Sequence, residues 1–246
     1  MPWRESHDFY SVLVSEMMLQ QTQVPRVLPK FADFMKRFPT MTDLAQATLA
    51  EVLITWQGLG YNRRAKYLHA AAQQVMSTGA PRTLDELQRL SGIGPNTAAA
   101  ILAYVYNEPV VFIETNIRTV FLHEFFPERD GVTDTEIRLL VAQTVDKENP
   151  REWYWALMDY GTYLKSQGKG SIVRSADYKK QSAFNGSVRQ VRGYILRVLA
   201  DGPMSVISLD YYDDKRFERA LRGLIRDGLV EQHESIICLT AHNQQS

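Results

Sequence analysis

The chain has 246 residues, 45% of them hydrophobic and 23% charged, enough to bury a sizeable core in one large domain with a small one beside it. Its longest apolar stretches, around Tyr10 to Leu19 and Ala98 to Tyr106, are too short or too interrupted to cross a bilayer, and the N-terminus lacks a signal-peptide pattern, so a cytoplasmic, nucleoid-associated location is expected. One cysteine, Cys238, excludes an internal disulfide, a Cys-rich zinc site and a four-cysteine iron–sulfur cluster, while 28 basic and 28 acidic residues cancel, so net charge announces no nucleic-acid partner.

Residues 1 to about 164 read as short helices. Thr48-Leu49-Ala50-Glu51, Thr83-Leu84-Asp85-Glu86 and Thr133-Asp134-Thr135-Glu136 each have the Thr-x-x-Glu form in which hydroxyl and carboxylate satisfy the first free amides of a helix. No stretch in this part keeps the two-residue alternation of a half-buried strand. Near the start, Tyr10-Ser11-Val12-Leu13-Val14-Ser15-Glu16-Met17-Met18-Leu19 sets one carboxylate, Glu16, in an apolar run, and Pro109 to Ile117 does the same with Glu114. A charge in such a run is expensive to desolvate, and the usual result is a raised pKa and a functional role.

Leu87 to Ile101 is the most informative stretch. One helix ends and another begins across Ser91-Gly92-Ile93-Gly94-Pro95-Asn96-Thr97. Gly92 and Gly94 permit a sharp hairpin and close backbone approach, and Ile93 plugs the gap between the helices. Gly94, Pro95 and Asn96 open a helix whose free amides and positive dipole end suit a DNA phosphate.

Between Lys165 and Arg197 stand eight basic residues (Lys165, Lys169, Arg174, Lys179, Lys180, Arg189, Arg192, Arg197) against one acidic residue, Asp177. Two readings stay open: a solvated linker, or a strip that tracks phosphates beside a DNA site. From Val188 a helix runs to about Ala200, a turn follows at Asp201-Gly202-Pro203, and Phe217, Ala220, Leu221, Leu224 and Ile225 keep helical spacing. Leu229 to Leu239 fits a short hairpin, with Cys238 in its core, and the whole suggests a small winged helix-turn-helix-like unit. The expected organisation is a helical domain over 1–164, a basic linker over 165–187 and a winged unit over 188–240.

Met18 to Val24 (Met-Leu-Gln-Gln-Thr-Gln-Val) preceded by Ser15-Glu16, the opening Pro2-Trp3-Arg4, Gly58-Leu59-Gly60-Tyr61, the hairpin, and Ala156-Leu157-Met158-Asp159-Tyr160-Gly161 together resemble the adenine DNA glycosylases of the MutY type, in the endonuclease III superfamily. The resemblance covers residues 2 to about 164. It implies a mainly α, two-lobed helix-hairpin-helix glycosylase fold that hydrolyses the N-glycosidic bond of a flipped-out adenine in double-stranded DNA carrying a mismatch or lesion. By it, Glu16 protonates the base, Glu114 takes the place of the family's catalytic aspartate and Asn116 keeps the accompanying asparagine. Tyr61, next to Leu59 in its motif, wedges beside the damaged guanine, and Gln20 and Gln21 fill the gap left by the flipped nucleotide. Gly92, Gly94, Asn96 and Thr97 hold the backbone, with a monovalent cation on the hairpin carbonyls.

Three departures accompany the resemblance. Glu114 is one methylene longer than aspartate. Asn96 stands where bifunctional relatives carry a lysine, so it cannot form a Schiff base and a monofunctional enzyme is expected. The four cysteines that normally follow the Met-Asp-x-Gly helix are replaced by the basic segment, and the chain is expected to lack the large domain that reads 8-oxoguanine. No metal or cofactor is therefore expected in the chemistry, and the chain is expected to act as a monomer. A glycosylase for mismatched thymine or uracil, or a catalytically degenerate DNA-binding platform, are the competing readings.

Overall fold

The computed structural model describes residues 1–170, 172–178 and 183–241. Its α-helices run α1 (Phe9–Leu19), α2 (Val24–Arg37), α3 (Met41–Gln46), α4 (Leu49–Thr55), α5 (Arg63–Thr78), α6 (Leu84–Arg89), α7 (Pro95–Tyr106), α8 (Thr115–Phe125), α9 (Asp134–Thr144) and α10 (Pro150–Ser166). After the basic segment come α11 (Val188–Val198), β1 (Met204–Ser205), α12 (Phe217–Arg226), β2 (Val230–His233) and β3 (Ile236–Leu239).

All three Thr-x-x-Glu boxes form, opening α4, α6 and α9 with reciprocal hydroxyl and carboxylate caps. A fourth box, Thr40 with Asp43, opens α3; aspartate in place of glutamate hides it from the sequence pattern. The central helix is α1. It is apolar nearly all round, and Val12, Leu13, Val14, Met17 and Met18 are buried, as expected of a helix enclosed by its neighbours. Helices α2 and α5 pack against it on one side, and α3 and α4 complete that lobe around Phe34, Phe38 and Trp56. The other lobe is α8 packed on α10, with α9 beside it. Running inward from the hairpin, α7 touches α1, α6 and α10 and joins the two lobes.

The boundary expected at residue 164 moves, because α10 continues through Lys165 to Ser166. Nor is the described part of the following segment a solvated linker. Arg174 donates to the carbonyls of Leu122, Phe126 and Pro127 at the end of α8, where a cation meets unsatisfied carbonyls and the negative dipole end. Asp177 accepts from the Asp134 amide at 2.8 Å. Lys179 and Lys180 of the expected basic strip lie outside the described residues.

In the C-terminal unit the three strands are ordered β1-β3-β2 and antiparallel, with Met204 opposite Ile237 and Val230 opposite Leu239. The expected hairpin is β2 and β3; β1, two residues long, is too short for alternation to reveal. Between β1 and α12 lies a three-residue 3-10 turn, Val206–Ser208, followed by further turns, so the wing is present but the first helix of a helix-turn-helix is not. The unit is fastened to the first lobe: Lys66 donates to the Asp227 carbonyl at 3.0 Å, Gln57 donates to the Leu196 carbonyl at 3.4 Å, and the Asp227 carboxylate lies 3.8 Å from Arg63 while pairing with Arg192 inside the unit at 2.6 Å. Among the described residues no helix is long and apolar enough to cross a membrane.

Candidate active site

Glu16 is the one charged residue of α1, and the helix carries it, half-buried, to the seam between the lobes. Burial first, and then the charge of Glu114, push its pKa up to about 8 against the opposing charge of Arg4. At neutral pH this carboxyl holds its proton.

Glu114 reaches the same seam from the other lobe, as the N-cap of α8. One of its oxygens, Oε1, accepts from the amides of Asn116 at 2.5 Å and Ile117 at 3.0 Å, so neither bond uses Oε2. Burial raises its pKa, while these two amides, then Lys165 and Arg118, pull it down. The two carboxyls thus differ in kind: Glu16 has no helix end behind it, and Glu114 sits on one.

Asn116 follows on the first turn of α8, where its Oδ1 accepts from Lys165 Nζ at 2.5 Å. Lys165, expected in a linker, therefore belongs to the site; burial lowers its pKa and the Glu114 charge raises it. Gly161 explains how α10 comes so close. A Cβ there would lie 2.6 Å from the Asn116 carbonyl oxygen and 2.7 Å from its Cβ.

A wall that the sequence does not single out stands beside Glu16. Tyr104 of α7 is buried, and its hydroxyl is held protonated first by burial and then by the charges of Glu16 and Glu114. Its ring stacks on Trp155, with centroids 6.0 Å apart, and Arg4 lies 5.4 Å over that indole while gripping Asp159 through two bonds. Tyrosine and tryptophan in apolar helices read as core, so no local pattern separates these from the rest.

At the hairpin, Gly92 has φ +76°, and a Cβ there would strike Tyr67 at 2.6 Å, so no other residue fits. Gly94 differs from the sequence expectation: its φ is ordinary at −88° and nothing lies within 4 Å of where a Cβ would be, so the turn does not require it. What its bareness leaves is open space before the first amides of α7. Asn96 bridges the lobes, donating to the Ile113 carbonyl at 3.0 Å and accepting from Arg138 at 2.9 Å. Thr97 accepts from Gln20 Nε2 at 3.3 Å, which ties the end of α1 to the hairpin.

Gln20, Gln21 and the loop of residues 57–62 are organised by a residue the sequence reading missed, Arg64. Its buried guanidinium donates to the carbonyls of Met17, Met18, Gln20 and Gly60 and to the Thr22 hydroxyl, at 2.6 to 3.0 Å. It lies between the rings of Trp56 and Tyr61, and burial lowers its pKa to about 10. Gln21 and Tyr61 both take positive φ, 55° and 47°, in this tightly held stretch. Leu59 corrects an expectation: its side chain is 2% exposed and belongs to the core, so only its carbonyl, an acceptor for Arg64, serves this loop.

The residues present do not fit a four-thiolate cluster, since the single cysteine, Cys238, is half-buried in β3 and the segment after α10 carries none. Among the described residues, Glu231, His233 and Cys238 bring one ligand atom each within 4.8 Å of one another, on the small sheet and outside the seam.

Two lobes joined through a glycine hairpin, with paired carboxyls at the seam, define a base-excision protein of the helix-hairpin-helix class. The family model of the HhH-GPD superfamily base excision DNA repair proteins matches residues 14–144, and the chain belongs to that family. It is 35% identical to an adenine DNA glycosylase of Mycolicibacterium smegmatis over 94% of this chain and 88% of the relative. An adenine DNA glycosylase of Mycobacterium tuberculosis is 33% identical over 94% and 85%. Solved structures with the same fold include a thermostable thymine-DNA glycosylase (TM-score 0.56, 21% identity, 65% of this chain and 77% of that one) and a trapped endonuclease III–DNA covalent intermediate (TM-score 0.55, 18% identity, 63% and 75%).

Proposed function

We propose that the chain is a monofunctional DNA glycosylase of base-excision repair that hydrolyses the N-glycosidic bond of an adenine mispaired with 8-oxoguanine or guanine. The observation that carries this reading is a pair of carboxyls in unlike surroundings, Glu16 with its pKa pushed up to about 8 by burial and then by the Glu114 charge, and Glu114 raised by burial but drawn back by two helix amides, Lys165 and Arg118.

A base inside a duplex is out of reach, so the nucleotide must first leave the stack, and a mispaired one leaves at least cost. Gln20, Gln21 and Tyr61 would fill the space it vacates, and the amides of Gly94, Asn96 and Thr97 at the start of α7 would take a phosphate of its strand. Glu16 then donates its proton to N7 of adenine. The C1′–N9 bond breaks with its electron pair going to the base, and the sugar becomes an oxocarbenium-like cation. Glu114, through Oε2, stabilises that cation. Water adds to C1′ and loses its proton to the carboxylate that Glu16 has become, which leaves an abasic site and free adenine and restores the acid. Asn116 and Lys165 hold Glu114 in position and ionised. A monovalent cation on the hairpin carbonyls belongs to the same reading, as does action by a monomer.

The test is incubation with duplexes carrying each mismatch, including adenine opposite 8-oxoguanine, followed by alkali. Adenine release with strand breaks appearing only after alkali is expected. Release of thymine or uracil instead, or no release from any duplex, overturns the reading. Breaks without alkali, with an adduct trapped by borohydride at Lys165, overturn its monofunctional part.

A further inference from the structure

A groove of about 990 Å³ runs between the loop before α5 and the C-terminal unit. Seven arginines line it against one acidic residue, Asp227, in a chain whose formal charge is zero. Two of these arginines are buried or half-buried and committed to the protein itself, Arg64 to the carbonyls at the end of α1 and Arg192 to Asp227. Arg63, which bonds the Tyr67 hydroxyl, and Arg226 also approach Asp227, at 3.8 and 4.0 Å, yet their side chains stay 56% and 82% exposed, and Arg197 is exposed as well.

The residues that α11 contributes to this groove include Arg189, Gly193 and Arg197, four residues apart and so in line along the helix. Gly193 is the telling member. It sits mid-helix, where glycine is the poorest former after proline, and it is exposed, with nothing among the described residues within 4 Å of where its Cβ would stand. Packing against the described residues therefore gives no reason for it. A bare stretch of helix between two guanidinium groups suits a partner whose own backbone must come close and whose charge is negative. Arg189 joins this face to the site, donating to the Tyr61 hydroxyl at 2.5 Å and lying 5.4 Å over its ring.

We propose that the groove holds the sugar–phosphate backbone of the DNA strand opposite the extruded nucleotide, with the Arg189-Gly193-Arg197 face as the contribution of the C-terminal unit. This rests on duplex DNA being the substrate. The strand assignment follows from Gln20, whose side chain bonds Thr97 on the hairpin side and whose carbonyl takes Arg64 on the groove side. If the hairpin amides hold the strand that loses its base, the groove across Gln20 and Gln21 faces the other one.

The test uses the full chain and a duplex with a tetrahydrofuran abasic analogue opposite guanine, which binds without turnover, read by fluorescence anisotropy over a series of salt concentrations. Arg197→Gln should weaken binding about tenfold and lower the salt slope by about one, the signature of one lost phosphate contact. Gly193→Gln, which fills the bare stretch with a good helix former, should also weaken binding about tenfold while thermal unfolding shows a midpoint no lower than native. Arg222→Gln, on α12 outside the groove and paired with Glu218, is the control and should bind as the native chain does. Native affinity and salt slope in both test variants would overturn the proposal, as would absence of duplex binding by the native chain. A chain that binds through α11 but releases no adenine from its mismatches would fail the proposed function and leave the groove standing; one that releases adenine with both variants at native affinity would fail the groove alone. Affinity for an acidic peptide that exceeds affinity for the duplex would assign the groove to a protein partner and overturn it too.

Discussion

Glu16→Gln removes a proton while keeping the shape of the neutral acid, and the surroundings of Glu16 set how much should change. With its pKa pushed up to about 8, Glu16 is about nine-tenths protonated at neutral pH, against roughly 0.3% for an ordinary glutamate, a gain of about 300-fold in available acid. Losing a positioned general acid typically slows the step by about two to four powers of ten. Single-turnover adenine release should therefore fall at least about a hundredfold in the glutamine variant while duplex binding persists. The native rate should hold level up to about pH 8 and then fall about tenfold per pH unit, because the acid form is the working one and is lost as pH rises through the folded pKa. Stability gives an independent reading with the same sign. A raised pKa means that the folded chain binds the proton more tightly than the unfolded one, so the associated stability is complete below the ordinary glutamate pKa and is lost as pH rises through about 8. Glu16→Gln should unfold like the native chain near pH 5 and at a higher temperature near pH 9, by roughly 2–4 °C for each kcal/mol relieved. A glutamine variant within threefold of native activity, or a native rate still level at about pH 9.5, would refute the acid assignment.

Glu114→Gln should cut single-turnover base release at least about a hundredfold with little change in affinity, while Glu114→Asp keeps substantial activity; a fully active glutamine variant would show that the carboxylate does not serve the cation. Lys165 lowers the Glu114 pKa, so Lys165→Met should move the acid limb of the pH–rate profile upward, and an unmoved limb would detach Lys165 from the site. Gly161→Ala drives a methyl into the Asn116 backbone and should destabilise the fold by about 1–3 kcal/mol, lowering activity with it; a native unfolding midpoint would mean that α8 and α10 have slack there. The purified protein should be iron-free by elemental analysis, and stoichiometric iron with thiolate-to-iron absorbance would contradict this.

What the sequence made legible was local. The Thr-x-x-Glu boxes and the hairpin glycine report the backbone needs of their immediate neighbours, so they can be read in one pass along the chain. Glu16 and Glu114 were legible because each stands alone in an apolar run. Arg64 was not, since it follows Arg63 and nothing nearby tells which of the two turns inward to gather carbonyls from the end of α1. Tyr104 and Trp155 look like core residues until α1 and the N-terminal Arg4 are laid beside them. Lys165 and Arg174 were misread for the opposite reason. Charge density alone leaves open a solvated linker or a phosphate-tracking strip, whereas a long basic side chain can reach back across a helix to a polar group that sequence distance hides.

These two residues bear on how Glu114 can work where the resemblance leads one to expect aspartate. The longer side chain still caps α8, and it does so with one oxygen, so the function of the other depends on where the start of α8 is held. That position is set from both ends of the helix by a single stretch of chain. Gly161 lets α10 close on Asn116, Lys165 bonds its side chain, and Arg174 gathers the carbonyls at the far end. The end of α10 and the segment in which the resemblance would lead one to expect cysteines thus position α8 with a glycine, a lysine and an arginine. Two amides of α8 and then that lysine, with Arg118, oppose the rise that burial imposes on the Glu114 pKa. At Glu16 burial and the Glu114 charge outweigh Arg4, and in the proposed reaction the division of labour between acid and anion follows from that difference rather than from the length of either side chain.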